Sequence, residues 1–353
     1  FLLPELIGPA RSLDLLLSGR SISGVEAVSI GLAHEVLNAG EQPEPHAGPG
    51  EVRVRIVVSG LNPSDTKRRG GWRGVTTMPF PRVIPHQDGA GVIDEIGLGV
   101  DPKRMGERVW VYEAQIGRAF GTAAEFTAVP AEKAVPLPNG IDFDTGAALG
   151  VPALTAHNAL FKNGPIQGQD VLVTGAGGAV GQAAVMLAKW AGARVIATVS
   201  TPAAMEVAKG AGADAVIDRK REDVLTRVKD ATGGAGVDRI LEVAFEANAA
   251  SNLAILKQNG VVSSYSPGTP KEMIDFPFSR YMGLGITLNA IMVYGMSREA
   301  HWAAVRDVTA ALKAGVYRPR IGARFPLEKT ADAHVAQDSE TVTGKIVIDV
   351  GKP

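Results

Sequence analysis

The sequence predicts an α/β protein of two domains: one a barrel-like set of short antiparallel strands, the other a doubly wound parallel sheet. Three observations carry this expectation. Residues 50–135 alternate apolar and polar side chains in short runs broken by Gly and Pro, as in EVRVRIVVSG, AGVIDEIG and ERVWVYEA. That is the period-two pattern of half-buried strands. From residue 168 onward, strand-like runs alternate with helical stretches, the rhythm of a parallel sheet with helices on both faces. Finally, 42 glycines and only 5% aromatic residues suit a chain with many tight strand-to-helix turns. At 353 residues the chain exceeds one small domain and can bury two cores.

Taken in order, residues 1–34 carry a helical pattern, with Leu13, Leu15, Leu16 and Leu17 in one segment and Val25, Ala27 and Val28 in another. The antiparallel strands follow in residues 50–135. The parallel-strand candidates are Val171–Thr174, Arg194–Val199, Ala215–Ile217, Asp238–Val243, Gly260–Tyr265 and Ile286–Val293. Helical stretches such as Ala179–Ala191 and Asn248–Lys257 lie between most of them. One long helix, Ser297–Ala314, precedes a final strand, Lys345–Val350. There is no internal repeat and no low-complexity linker.

Composition narrows the function classes. Thirty-six Lys and Arg against 37 Asp and Glu, scattered along the chain, leave a net charge of -1. No electrostatic footprint for nucleic acid or an anionic membrane results. Cysteine is absent, which excludes a disulfide scaffold, a thiol nucleophile and thiolate zinc sites. Mean hydropathy is +0.08, and no apolar run reaches the ~18–20 residues of a membrane span. The opening FLLPELIGPA carries neither the basic region nor the cleavage pattern of a signal peptide. The expectation is a soluble, cytoplasmic, two-domain enzyme.

The strongest chemical motif is VLVTGAGGAVGQAAVMLAKWAGARVIATVS. An apolar strand runs into Gly175, Gly177, Gly178, Ala179, Val180 and Gly181, and a helix follows at once. Glycine is needed there because the backbone must turn tightly, approach a pyrophosphate closely and let helix pack on strand. The free N–H groups at the helix start then face the phosphates. The strand–turn–helix context makes this a dinucleotide-binding motif rather than a structural turn. NAD-specific proteins place Asp or Glu after the second strand. Here Ser200 and Thr201 stand there, and Arg219 follows the third strand. A 2′-phosphate thus meets a hydroxyl and a guanidinium fork rather than a carboxylate, and NADP(H) is the expected cofactor.

With GPGEVRVRIVVSGLNPSDTKRRGG, IPHQDGAGVIDEIG, GERVWV, FGTAAEFTAVPAEKAVPLP, the glycine turn and the closing TGKIVIDV, the chain resembles the medium-chain dehydrogenase/reductase superfamily. Within it, it is similar to the zinc-free quinone oxidoreductases related to zeta-crystallin. The resemblance runs from about residue 35 to the end. It implies a GroES-like substrate domain over 35–148, a Rossmann NADP-binding domain over 149–295, and a C-terminal segment, 296–353, completing the first. The active site would be the cleft between domains. Residues 1–34 instead resemble a helical fragment of the enoyl-CoA hydratase (crotonase) family, without its oxyanion loops or catalytic carboxylates.

Zinc-dependent relatives carry Cys where Asn62 stands and a His-Glu pair where Gln87-Asp88 stands. His86 is one position off, and one imidazole cannot build a three-ligand site, so the site is expected to be metal-free. The chemistry then comes from the cofactor, with hydride passing to an electron-poor quinone or conjugated enone. The protein aligns the reactants and stabilises charge on an oxygen. Asn62, in the LNPSD loop, is a candidate donor to that oxygen, and Tyr112 and Gln115 are candidates to reach the same cleft. Trp72 stands where relatives often carry a Tyr lining the quinone pocket. Asp65 and Asp88 are expected to hold loops rather than move protons. The resemblance places Thr155 near the nicotinamide, Ser266 and Gly268 along the cofactor, and Asn289 near the nicotinamide or across an edge strand. It also implies a homodimer paired through Ile286–Val293. A 2-enoyl thioester reductase and a cofactor-binding protein with little turnover remain open alternatives.

Overall fold

The computed structural model describes residues 42–69, 80–266, 268, 273 and 275–352. The helical pattern of residues 1–34 and its enoyl-CoA hydratase resemblance lie outside them, as does Trp72. In chain order the main elements are β1 (Glu51–Leu61), α1 (Pro63–Arg69), β2 (Asp88–Ile96), β3 (Arg108–Val111), β4 (Phe126–Pro130) and β5 (Ala134–Pro136). Next come α2 (Phe143–Ala147), α3 (Gly150–Phe161), β6 (Asp170–Val173), α4 (Ala179–Trp190), β7 (Arg194–Val199), α5 (Pro202–Gly210) and β8 (Ala215–Asp218). Then follow α6 (Val224–Ala231), β9 (Val237–Glu242), α7 (Phe245–Ile255), β10 (Leu256–Ser264), α8 (Phe278–Gly283) and β11 (Thr287–Ala290). The chain closes with α9 (Arg298–Lys313), β12 (Ile321–Pro326), α10 (Thr330–Asp338) and β13 (Lys345–Asp349).

These strands form two sheets. The first runs β12-β13-β1-β2-β3-β5, with β4 on β1. β1 explains its shape. Arg53 and Arg55 face outward while Val52, Val54 and Ile56 are buried, but from Val57 every residue to Leu61 is buried. The alternation stops because β4 covers Glu51–Arg55 and β13 takes over at Val58–Leu61, with β2 along the other edge. A strand shared among three partners is covered along its length and loses its wet face.

The second sheet is wholly parallel, in the order β11-β10-β9-β6-β7-β8. Its topological switch point lies between β6 and its neighbours β7 and β9, where ligands of such sheets bind. Val171, Val173, Val195 and Ala197 are buried against the Ala183–Ala188 face of α4. Such apolar strands, covered on both faces, are what parallel sheets require. Arg239, also buried in β9, donates to Gln169 Oε1 (2.8 Å) and to the carbonyls of Leu160 (2.6 Å) and Asn163 (3.0 Å). It thereby ties the α3–β6 loop to the sheet.

Two strands differ from expectation. β10 begins at Leu256 rather than Gly260, because Leu256 pairs with Val237 before an irregular stretch that includes Asn259 at φ 60°. β11 spans only Thr287–Ala290, and a 3-10 turn occupies Val293–Gly295. Its only partner among the described residues is β10, over Val261–Ser264. Beyond Ser264 no ladder remains to extend it.

A directed hydrogen-bond chain fastens α10 to the first sheet. Thr122 Oγ1 donates to the Asp88 carbonyl (2.5 Å), so it must accept from Ser59 Oγ (2.8 Å). Ser59, having spent its proton, accepts from His86 Nδ1 (2.9 Å). His86 Nε2 is then a lone pair, and His334 Nε2–H fills it at 2.9 Å, the rings stacked 5.1 Å apart. The inventory of protons assigns both tautomers. Burial pushes the His334 pKa down to about 4, reinforced by Arg69. The unfolded chain therefore takes up a proton between pH 6.5 and pH 4 that the native state refuses, and stability falls as pH drops through that window. The shift corresponds to on the order of 3 kcal/mol. Urea unfolding of the wild type and His334→Gln at both ends of the window should show their stability difference shrinking by roughly that amount as pH falls. A difference independent of pH would refute the assignment.

Candidate active site

The turn after β6 is built for an anionic ligand. Gly175 sits at φ 68°, a left-handed conformation that side chains other than glycine adopt at a cost. A Cβ on Gly177 would come within 2.4 Å of the Ala204 Cβ, and one on Gly181 within 2.4 Å of the Gly175 carbonyl. Gly178 caps α4 with no side chain, and its own Cβ would meet nothing closer than 3.5 Å. α4 thus starts, at Ala179 and Val180, with no side-chain cap on its first N–H groups. This cradle fits a dinucleotide pyrophosphate.

Two residues that the sequence did not single out hold the turn. Glu242, fully buried at the end of β9, accepts from Ala244 N (2.7 Å), Asn248 Nδ2 (3.0 Å) and Asn252 Nδ2 (3.1 Å), and lies 3.0 Å from Thr174 Oγ1. Gln182 donates to the Gly177 carbonyl and accepts from Arg320 N, both at 3.1 Å.

Ser200 and Arg219 meet at one end of the sheet. β7 and β8 pair Val199 with Asp218, and Arg219 N donates to the Val199 carbonyl at 3.0 Å. Arg219 is exposed, and its guanidinium has no hydrogen-bond or ion-pair partner among the described residues, whereas Asp218 is engaged by Arg221. Ser266 and Gly268 form a small turn, Gly268 N donating to Ser266 Oγ at 3.1 Å. Gly268, at φ 79°, packs so close to Ala244 that a Cβ would approach its Cα to 2.7 Å. Asn289 is different. Its amide donates to Asn163 Oδ1 (2.6 Å) and Ser263 Oγ (3.1 Å). Both bonds run from its side-chain nitrogen.

The second part of the site is a buried charged cluster. Asp88 is fully buried at the start of β2. It accepts from Asn62 Nδ2 (2.7 Å), Lys345 Nζ (3.0 Å) and Val151 N (2.9 Å). Lys345 also donates to Asn62 Oδ1 at 2.6 Å. Ammonium and carboxylate fix which way the Asn62 amide points, and one of its two N–H groups stays uncommitted. The Val151 bond makes Asp88 the N-terminal cap of α3, which lacks a capping side chain of its own. Thr155, buried, stands one turn beyond Val151 on the same face of α3. Asp65 accepts from Asn62 N at 2.8 Å, and burial together with Asp88 pushes its pKa up to about 7. Gln87 and Gln115 bond each other at 3.1 Å.

A zinc ion does not fit this donor set. The positions where zinc relatives carry ligands hold two amides, Asn62 and Gln87, and the Asp88 carboxylate, with the Lys345 ammonium between Asn62 and Asp88, and His86 Nε2 is taken by His334. Zinc needs three or four deprotonated donors converging on one point. Tyr112 lines a hollow with Glu113, Glu132, Lys133, Met296, Arg298, His301 and Trp302, which includes neither Asn62 nor the glycine turn.

Comparison with known proteins agrees with this architecture. Residues 48–139 match the alcohol dehydrogenase GroES-like domain family, and residues 179–311 match the zinc-binding dehydrogenase family. A quinone oxidoreductase of Lama guanicoe is 30% identical over 310 residues, covering 87% of this chain and 89% of the relative. A 2-haloacrylate reductase of a Burkholderia species is 30% identical over 310 residues, 85% of this chain and 91% of that one. The Escherichia coli quinone oxidoreductase complexed with NADPH superposes with a TM-score of 0.75 at 25% identity, over 88% of this chain and 94% of that one. The chain belongs to the medium-chain dehydrogenase/reductase superfamily. Within that superfamily it is an oxidoreductase related to the quinone oxidoreductases. Neither family match reaches residues 1–34, and their enoyl-CoA hydratase resemblance is not borne out.

The charged cluster gives a stability test. Lys345→Met leaves Asp88 buried without its cation and should cost about 3–5 kcal/mol in urea unfolding. Removing the charge as well, in Asp88→Asn/Lys345→Met, should cost less than the two single substitutions added together. Strict additivity would show the pair to be uncoupled.

Proposed function

We propose that this chain is an NADPH-dependent, metal-independent reductase that delivers hydride to a quinone or a conjugated enone. The observation that carries this is the side-chain-free cradle at the β6–α4 turn, paired with a buried Asn62–Asp88–Lys345 centre in which an ammonium stands among the metal-ligand positions of zinc relatives. NADPH, when bound, supplies the hydride. The α4 N-terminus orients its pyrophosphate, and Ser200 and Arg219 receive the 2′-phosphate. Thr155, Ser266 and Gly268 border the path to the nicotinamide end. Lys345 and Asp88 hold Asn62 so that its uncommitted N–H polarises the acceptor oxygen.

Such a site has neither a Lewis acid nor a strong proton donor at the oxygen, so the acceptor must already be electron-poor. The names of the relatives support that class: quinone oxidoreductases reduce quinones, and a haloacrylate is an activated alkene. The functional division we adopt is a substrate domain over 35–148 completed by 296–353, with the cofactor domain over 149–295. We also assign a homodimer. The support is that β11 ends the sheet order among the described residues, with Leu288 exposed on it and Phe278 and Met282 exposed on α8.

Two experiments test the reading. NADPH oxidation with a small quinone, an alkenal and crotonyl-CoA should favour the first two. With the quinone, kcat/KM should be higher for NADPH than for NADH, and Arg219→Ala should lower the NADPH value roughly ten- to a hundredfold, since a charge-assisted pair contributes about 1.5–3 kcal/mol. Equal use of both cofactors by the wild type sinks the specificity. Separately, dialysis against a chelator should leave turnover unchanged, and a loss restored by zinc would overturn metal independence.

A further inference from the structure

The hollow around Tyr112 has chemistry that the reductase reaction does not use. Tyr112 is 4% exposed, lines the hollow, and its hydroxyl has no hydrogen-bond partner among the described residues. Its ring lies tilted against Trp110, at 5.7 Å and 42°, and is stacked on His301 at 5.5 Å and 18°. Burial and the neighbouring Glu113 push the phenol pKa up, so the hydroxyl stays protonated and is a donor awaiting an acceptor.

The charges around it are settled by geometry. His301 Nε2 lies 2.9 Å from Glu113 Oε1, and Nδ1 lies 3.2 Å from the Ser297 carbonyl. Both neighbours are acceptors, an arrangement that favours a hydrogen on each ring nitrogen. Burial opposes that charge, but the Glu113 bond outweighs it and raises the His301 pKa. Lys133 bonds the Glu113 carboxylate and carbonyl at 3.3 Å each, leaving a third N–H. Arg298 bonds Glu132 through one nitrogen (2.8 Å) and lies over the Trp302 ring at 4.5 Å. Lys133 and Arg298 thus stand beside two carboxylates that are already paired, and the Tyr112 hydroxyl and the third Lys133 N–H are left to donate.

We propose that this hollow is a binding site for a small organic monocarboxylate, its anion held by Tyr112, Lys133 and Arg298 and its apolar body lying against Trp302 and Met296. The volume, about 210 Å³, is below the range of drug-sized sites and suits a compact acid. Trp302 is half exposed at the rim, an aromatic wall that a fully hydrated dianion such as phosphate leaves unused. The site is separate from the glycine turn, and the proposal stands whatever the reductase's acceptor is.

Benzoate is a fitting probe. Calorimetric titration of the full chain without cofactor at pH 7 should give one saturable site, with benzamide at least about tenfold weaker and inorganic phosphate failing to displace benzoate. Quenching of Trp302 fluorescence should follow the same isotherm and vanish in Trp302→Phe. Tyr112→Phe and Lys133→Met should each raise the benzoate Kd by about tenfold. Lys133→Met, on the partly exposed rim, carries the test if Tyr112→Phe fails to fold. Equal binding of benzamide, displacement by phosphate, or benzoate affinity unmoved by the folded variants would each overturn the proposal.

Discussion

The first sheet and the candidate site both depend on one buried ion pair, Lys345 with Asp88, whose side chains are 2% and 0% exposed. An isolated charge in that position would cost several kcal/mol of desolvation, so each residue requires the other and the bonds that satisfy their remaining valences. Those bonds reach far. Asp88 opens β2 and caps α3, Lys345 opens β13, and Asn62 closes the junction between β1 and α1. One cluster therefore joins the last strand of the chain to the first and sets the helix that carries Thr155. It also explains why a position surrounded by metal-ligand equivalents needs no metal to hold its geometry. The cation comes from the chain itself.

The cofactor side is governed by a different constraint, close approach. Gly175, Gly177 and Gly181 are required by backbone and neighbouring Cβ atoms at under 3 Å, and the turn they make is locked from behind by Glu242 and Gln182. Buried polar groups of this kind are worth having only when satisfied, and Glu242 meets four donor groups. A rigid cradle follows, preorganised for a pyrophosphate. α3 then connects the two halves of the site, with Val151 on Asp88 at one end and Arg239 gripping the Leu160 carbonyl at the other.

Much of this was legible along the chain. The strands β6, β7, β8 and β9 and the helices α4 and α9 fall within a residue or a few of where periodicity put them, because parallel strands are continuous apolar runs and glycine punctuates their turns. The site was less legible. Asn62 was recognisable as a loop amide, but its partner Lys345 lies 283 residues away. Tyr112 pointed to a cleft, yet its neighbour His301 follows on a helix far down the chain. Asn289 had two roles open, and its contact with Asn163, 126 residues away, was not legible in either.

By itself, then, the sequence determined the period of each segment, the glycine turn, the absence of thiols and the missing acid after β7. These are local properties that need no partner to be read. The tertiary structure decided which charges face each other: Lys345 with Asp88, His301 with Glu113, His334 with His86. The physical reason is that burial makes a charge or a proton depend on whatever lies within about 3 Å of it, and that distance is measured across the fold, not along the chain.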